Sequence, residues 1–176
     1  MKISPTKIPG VMEVEITPLT DERGLFARTF CAETFAGHGL ADRYPHQNTS
    51  YNPRRGTLRG LHLQAEPSPE AKLVRATRGR VFDVAVDLRP ASPAYRDWTA
   101  VELDADRRNA LYIPAGCAHG FLTLEDDSEV FYLMSETYIP ALARTYRWDD
   151  PAFAVDWPLE PVVISARDAA AEDYTP

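Results

Sequence analysis

Cysteine is scarce in this chain of 176 residues: Cys31 and Cys117 are the only two, and they form no CxxC pair. With no sign of export, they read as two reduced thiols of a cytoplasmic protein. Long apolar runs are missing too, and none approaches the roughly 18 residues that a membrane helix needs. The stretch Met1–Gly10 holds two lysines and two prolines with no apolar run behind them, so it reads as neither secretory signal nor anchor. Positive charge is in deficit. Nineteen basic residues face 26 acidic ones, for a net charge of −7, which argues against a general binder of nucleic acid or anionic membrane. A local basic pocket for one small anion stays open. The sequence has no internal repeat, no low-complexity tract and no linker, and it contains no G-x-S-x-G, P-loop or G-x-G-x-x-G motif. Its length fits one domain spanning residues 1–176.

What the chain does have is punctuation. Fifteen prolines and nine glycines separate many short apolar runs, the spacing of an all-β sandwich or barrel. The expected strands are Val11–Thr17, Leu25–Phe30, Thr57–Gln64, Ala71–Thr77, Val81–Leu88, Trp98–Leu103, Ala110–Ile113, His119–Leu124 and Glu129–Ser135. Helix is expected only at Cys31–Gly39, which ends on glycines like a C-cap, and in a short turn at Ser165–Ala171. Strand parity separates faces. Phe82, Val84, Val86 and Leu88 form a bulky apolar face, while Val81, Asp83, Ala85 and Asp87 form a smaller one with two carboxylates. Lys72, Val74 and Ala76 share a face, as do His119, Phe121 and Thr123, and Val130, Tyr132 and Met134. Polar groups among apolar lining residues are the make-up of a small-molecule site in a barrel mouth.

The densest polar stretch runs through Gln47-Asn48-Thr49-Ser50 and Gly56-Thr57-Leu58-Arg59-Gly60-Leu61-His62-Leu63-Gln64. Arginine offers a forked donor for phosphate or carboxylate, and neutral imidazole accepts a proton near neutrality. Arg59 and His62 differ in parity, so both enter one cavity only if Gly60 allows a bulge or twist. A lone strand histidine is more often structural; the nearby arginine and amides reduce that imbalance. A second cluster, Ile113-Pro114-Ala115-Gly116-Cys117-Ala118-His119-Gly120-Phe121, turns the chain to present His119 at a strand start. Metal binding is disfavoured. Gln64 stands where a barrel site would place its second histidine, and His38 and His46 fall in expected loop or helix. Cys117 could share a side with His119, but nothing in the sequence orients that histidine for a thiolate pair.

On these residues the chain resembles the dTDP-4-dehydrorhamnose 3,5-epimerase family of cupin-fold nucleotide-sugar epimerases. The matching segments include Asp21-Glu22-Arg23-Gly24-Leu25-Phe26, Gln47-Asn48, Thr57-Leu58-Arg59-Gly60-Leu61-His62-Leu63-Gln64, Lys72-Leu73-Val74, Ile113-Pro114-Ala115-Gly116, Val130-Phe131-Tyr132, Tyr138-Ile139-Pro140, Trp148-Asp149-Asp150-Pro151 and Ser165-Ala166-Arg167-Asp168. Each is weak alone; the ordered set, covering nearly the whole chain, is specific. The resemblance implies a cupin-type jelly-roll barrel with short peripheral helices, a homodimer, no metal and no cofactor. It implies a nucleotide-diphosphate 4-keto sugar as substrate. His62 would take a proton beside the C4 ketone, Asp168 would orient it, Tyr132 would return a proton on the opposite face, and Lys72 would stabilise the enolate oxygen. Arg23, Gln47, Asn48, Thr49, Arg59, His119 and Arg167 would hold the substrate, and Tyr138 would stack on the base.

The residue types suit that chemistry. Histidine, with an ordinary pKa of about 6.5, accepts a proton near neutrality, while tyrosine, at about 10, stays protonated until needed. A preorganised ammonium stabilises the developing oxyanion. Three positions depart from the family's pattern: Arg28 and Ala143 stand where glutamate is usual, and Arg167 replaces lysine. Arg28, expected on the strand face of Phe26, would bring a guanidinium to the substrate site. The competing activities are a sugar 3,4-ketoisomerase on the same fold and a metal-dependent cupin oxygenase, the latter opposed by Gln64.

Overall fold

The computed structural model describes residues 1–175. Most of the chain is strand, in two antiparallel sheets packed face to face as a jelly-roll barrel. The first sheet follows the order β1 (Lys2–Pro5), β2 (Met12–Glu15), β10 (Ala110–Ile113), β7 (Lys72–Arg78), β12 (Ser128–Met134), β5 (His46–Asn52). The second follows β13 (Ala143–Thr145), β6 (Thr57–Gln64), β11 (Cys117–Thr123), β8 (Arg80–Asp87), β9 (Trp98–Asp104), with β14 (Val163–Ile164) added parallel to β6. A two-stranded hairpin, β3 (Leu19–Asp21) and β4 (Gly24–Phe26), belongs to neither sheet.

The alternation of the sequence sorts three layers of core. Val81 and Ala85 of β8 point between the sheets, where they meet Val74, Leu111, Phe121 and Val130. Val84 and Val86 of the same strand point to the outer face, where Leu61, Leu63 and Phe153 join them under a cover built from Tyr146, Trp157 and Tyr174. The outer face of the first sheet carries Val14, Leu73 and Tyr112 under helix α1 (Ala32–Gly37). Six residues are too few for a helix to persist alone. Phe35, fully buried against Phe30 and Tyr112, holds α1 in place by burial that stabilises by roughly 1.5–3 kcal/mol.

Both expected helical segments form, the second as α2 (Ala166–Ala169). Two expectations need correction. The Leu25–Phe30 strand ends at Phe26, because the chain then turns inward and Phe30 packs on Phe35 and Tyr44. His46 is neither loop nor helix but opens β5, an edge strand paired with β12 along its whole length.

Candidate active site

A cavity of about 280 Å³ opens between the two sheets. The first sheet lines it with Asn48 of β5, Lys72 of β7, and Tyr132 and Met134 of β12. The second lines it with Arg59, His62 and Gln64 of β6, His119 and Phe121 of β11, and Ala143 and Arg144 of β13. Arg167 enters from α2, and Glu70 and Tyr138 from loops.

Arg59 and His62 reach the same cavity because β6 breaks step at Gly60. The pairing of β6 with β11 shifts register between His119 and Phe121, and Gly60 has a φ of +139°, a conformation that favours glycine. A Cβ at Gly60 would lie 2.5 Å from the Cα of Gly120 on the facing strand. Two glycines back to back thus bring the strands close, while Leu61 and Leu63 pack on the outer face and His62 and Gln64 point inward.

Each histidine of the cavity has its own carboxylate. His62 Nε2 lies 2.8 Å from Asp168 Oδ1, and its side chain is 41% exposed while that of Asp168 is 6% exposed. Asp168 is fixed from three sides: Ser165 Oγ caps α2 by accepting the Asp168 N–H, Asp168 Oδ2 accepts the N–H of Gly60, and Oδ1 holds the imidazole. Burial pushes the Asp168 carboxyl up, but the hydrogen bond and charge of His62, with the Gly60 N–H, pull it below the ordinary carboxylate range. His119 Nε2 lies 2.7 Å from Asp83 Oδ1. Asp83 is wholly buried, and burial raises its pKa against the opposing pull of His119. Burial also raises the Tyr132 hydroxyl, with Ser50 and Arg59 pulling the other way; the phenol stays protonated at neutral pH.

The remaining charges give the cavity its character. Lys72 Nζ pairs with Glu70 Oε1 at 2.8 Å. Arg59 donates from Nε to Asn52 Oδ1 at 2.8 Å. Among the described residues no carboxylate pairs with Arg59, Arg144 or Arg167. Three guanidiniums without counterions suit an anion such as a diphosphate. No group of three or more His, Cys, Asp or Glu side chains is close enough to hold a metal ion among the described residues. Cys117 is buried, and that burial pushes its thiol up to about 12, the opposite of an activated nucleophile.

Of the residues singled out in the sequence, Asn48, Arg59, His62, Lys72, His119, Tyr132, Tyr138 and Arg167 line this cavity, with Asp168 directly behind His62. Arg23, Arg28, Gln47 and Thr49 do not. Gln47 and Thr49 alternate with Asn48 and face away from the cavity. Arg23 is exposed and bound to Asp21. Arg28 lies beyond the end of β4, exposed, with Nη1 3.9 Å from Cys31 Sγ; the expected shared face with Phe26 is lost because the strand has ended. Sequence reasoning missed Glu70, Arg144 and the partnership of Asp83 with His119. The last was within reach, since Asp83 occupies the inward parity of β8 next to β11.

The family model for dTDP-4-dehydrorhamnose 3,5-epimerase matches residues 5–175. The chain belongs to that family. It is thus an epimerase, an isomerase by class. This epimerase is 46% identical over 166 residues to the dTDP-4-dehydrorhamnose 3,5-epimerase of Methanothermobacter thermautotrophicus, covering 93% of this chain and 89% of the relative. Among solved structures, it superposes on the rmlC epimerase of Mycobacterium tuberculosis with a TM-score of 0.93 at 39% identity, covering 98% and 88% of the two chains. It superposes on ChmJ, a 3'-monoepimerase from Streptomyces bikiniensis in complex with dTDP-quinovose, with a TM-score of 0.89 at 35% identity, covering 97% and 86%. No helix of the epimerase is long and apolar enough to cross a membrane among the described residues.

Proposed function

We propose that this epimerase inverts C3 and C5 of a dTDP-linked 4-keto-6-deoxysugar of the 4-dehydro-6-deoxyglucose type. The observation that carries the reading is the approach of a base and an acid to one cavity from opposite sheets: His62 from β6, Tyr132 from β12. Carbons 3 and 5 both flank the C4 ketone, so a proton on either is removable once the oxyanion is stabilised. His62 takes the proton and becomes imidazolium, favoured by the ionised Asp168. The electron pair moves to O4, where the Lys72 ammonium meets the charge. Tyr132 then delivers a proton to the opposite face, and the centre is inverted. Solvent resets both groups. Arg59 and Arg167 hold the diphosphate, Asn48 and His119 the sugar, and Tyr138 stacks on the base.

The experiment is incubation with dTDP-4-keto-6-deoxyglucose in deuterated water, followed by proton NMR. Deuterium at C3 and C5 with inversion at both supports the reading. Deuterium at C3 alone makes the enzyme a single-centre epimerase, migration of the carbonyl makes it a ketoisomerase, and exchange at neither position refutes the dTDP-sugar assignment.

A homodimer completes the proposal. Leu19 is 71% and Phe26 73% exposed on the β3–β4 hairpin, an apolar pair that lies outside both main sheets of its own chain. Docked on a second copy, the hairpin and the segment after it would carry Arg23 and Arg28 toward the neighbouring cavity. Phe26→Asp is expected to halve the mass in solution, read by light scattering; an unchanged mass removes the hairpin from the interface.

A further inference from the structure

Glu70 and Gln64 have no part in the reaction as assigned, yet with Lys72 they form a buried polar cluster in the cavity wall. Glu70 and Gln64 are each 5% exposed and Lys72 8%. Glu70 uses both oxygens: Oε1 lies 2.8 Å from Lys72 Nζ, and Oε2 accepts from Gln64 Nε2 at 2.7 Å. Gln64 uses both ends of its amide. Its Oε1 accepts the backbone N–H of Ile139 at 2.6 Å, and its Nε2 donates to the carbonyl of Thr137 at 3.2 Å.

The orientation of that amide follows from donor and acceptor identity. A backbone N–H only donates, so the Gln64 atom facing Ile139 is oxygen and the atom facing Glu70 is nitrogen. Residue 70 must then accept from an amide on one side and from an ammonium on the other, which a carboxylate does with one oxygen each. Tyr138, 54% exposed at the cavity mouth, sits between the two backbone groups that Gln64 holds. The segment is tied to the barrel at Ser135, through Ala71, and at Leu142, through Ala65. Between those ties, among the described residues, Gln64 supplies the hydrogen bonds of Thr137 and Ile139 to the barrel.

We propose that Glu70 and Gln64 are positioning residues, Glu70 fixing the Lys72 ammonium and Gln64 tying that ion pair to the Thr137–Ile139 segment that carries Tyr138. The group that meets the oxyanion and the group that meets the base are thereby set by one buried chain of contacts. The inference rests on the roles given to Lys72 and Tyr138 under the proposed function.

The test compares Glu70→Leu, Glu70→Gln and Gln64→Leu with the wild type. It measures kcat and KM on dTDP-4-keto-6-deoxyglucose, dTDP affinity by calorimetry, and hydrogen exchange of the Ile139 amide by NMR. Glu70→Leu strands a buried ammonium and is expected to lower kcat by about a hundredfold or more with dTDP affinity within about threefold. Glu70→Gln keeps one oxygen for the ammonium but sets its amide nitrogen against that of Gln64, so it recovers only part of that loss. Gln64→Leu raises KM by roughly tenfold with kcat within about threefold, and the Ile139 amide exchanges faster. A wild-type kcat in Glu70→Leu overturns the role of Glu70. Unchanged KM together with unchanged Ile139 exchange in Gln64→Leu overturns the role of Gln64, and this decides the matter should Glu70→Leu fail to fold. If the wild type leaves the sugar untouched, the functional reading fails, while the Ile139 exchange still reports on the tie.

Discussion

Asp168 does not line the cavity, yet it holds the imidazole of the histidine that does. Its carboxyl lies below the usual range, so it is ionised at neutral pH, and its position is pinned by Ser165 and Gly60. Asp168→Asn keeps the shape and removes the charge. We expect kcat to fall by roughly 10²–10⁴-fold with dTDP affinity nearly unchanged, by analogy with a carboxylate that holds a catalytic imidazole. Tyr132→Phe should behave differently: deuterium should still enter the substrate while net inversion is lost, which proton NMR separates. A full rate of inversion in Tyr132→Phe would move the acid elsewhere. His62, Lys72, Tyr132 and Asp168 were legible from the sequence through a family pattern; strand parity alone would leave Tyr132 a packed aromatic. Glu70 was not legible, because it lies in a proline-rich loop where no periodicity says which way a side chain turns.

At the scale of elements, the well-paired central strands and the edge strand β9 were readable, and the other edges were not. Thr57–Gln64 and Ala110–Ile113 form where the alternation places them. The strand β5 escaped notice because its residues, His46 to Asn52, are polar on both faces and owe their conformation to pairing with β12. The hairpin strand β4 stops short because the pull of Phe30 into the α1 layer overrides local pattern. The break in β6 was foreseen as a requirement at Gly60, and its structural reason is the facing Gly120. Gly60→Ala should therefore cost about 3 kcal/mol or more, through a strained φ and a Cβ driven against backbone. Chemical denaturation measures it. A loss below about 1 kcal/mol would mean that the two strands can separate freely there.

For the whole molecule, a negative net charge encloses a cavity whose unpaired groups are positive. Its acid stability follows from where the carboxylates sit. Burial raises the pKa of Asp168 and of Asp87, but His62 in one case and Arg89 with Ser92 in the other reverse the shift, and both end below the ordinary value of 3.8. A folded pKa below the unfolded one gives stability that is full above the unfolded value and lost as pH falls toward the folded one. Asp83 has the opposite sign, since its raised pKa favours the fold at low pH. With these two, and the exposed Asp21 that Arg23 also lowers, against Asp83 alone, Tm should hold steady down to about pH 4 and drop below it; a Tm that rises on acidification would mean that Asp83 dominates. The layering of the barrel has one more consequence, for anyone watching this protein by light. Trp98 and Trp157 pack on the outer face of the second sheet, and Trp148 stacks edge-on against Trp157 at 6.4 Å. No indole lines the cavity. Intrinsic emission is therefore a gauge of that outer cover: it should shift as the cover peels away on heating, and stay level when nucleotide fills the cavity on the other side of the sheet.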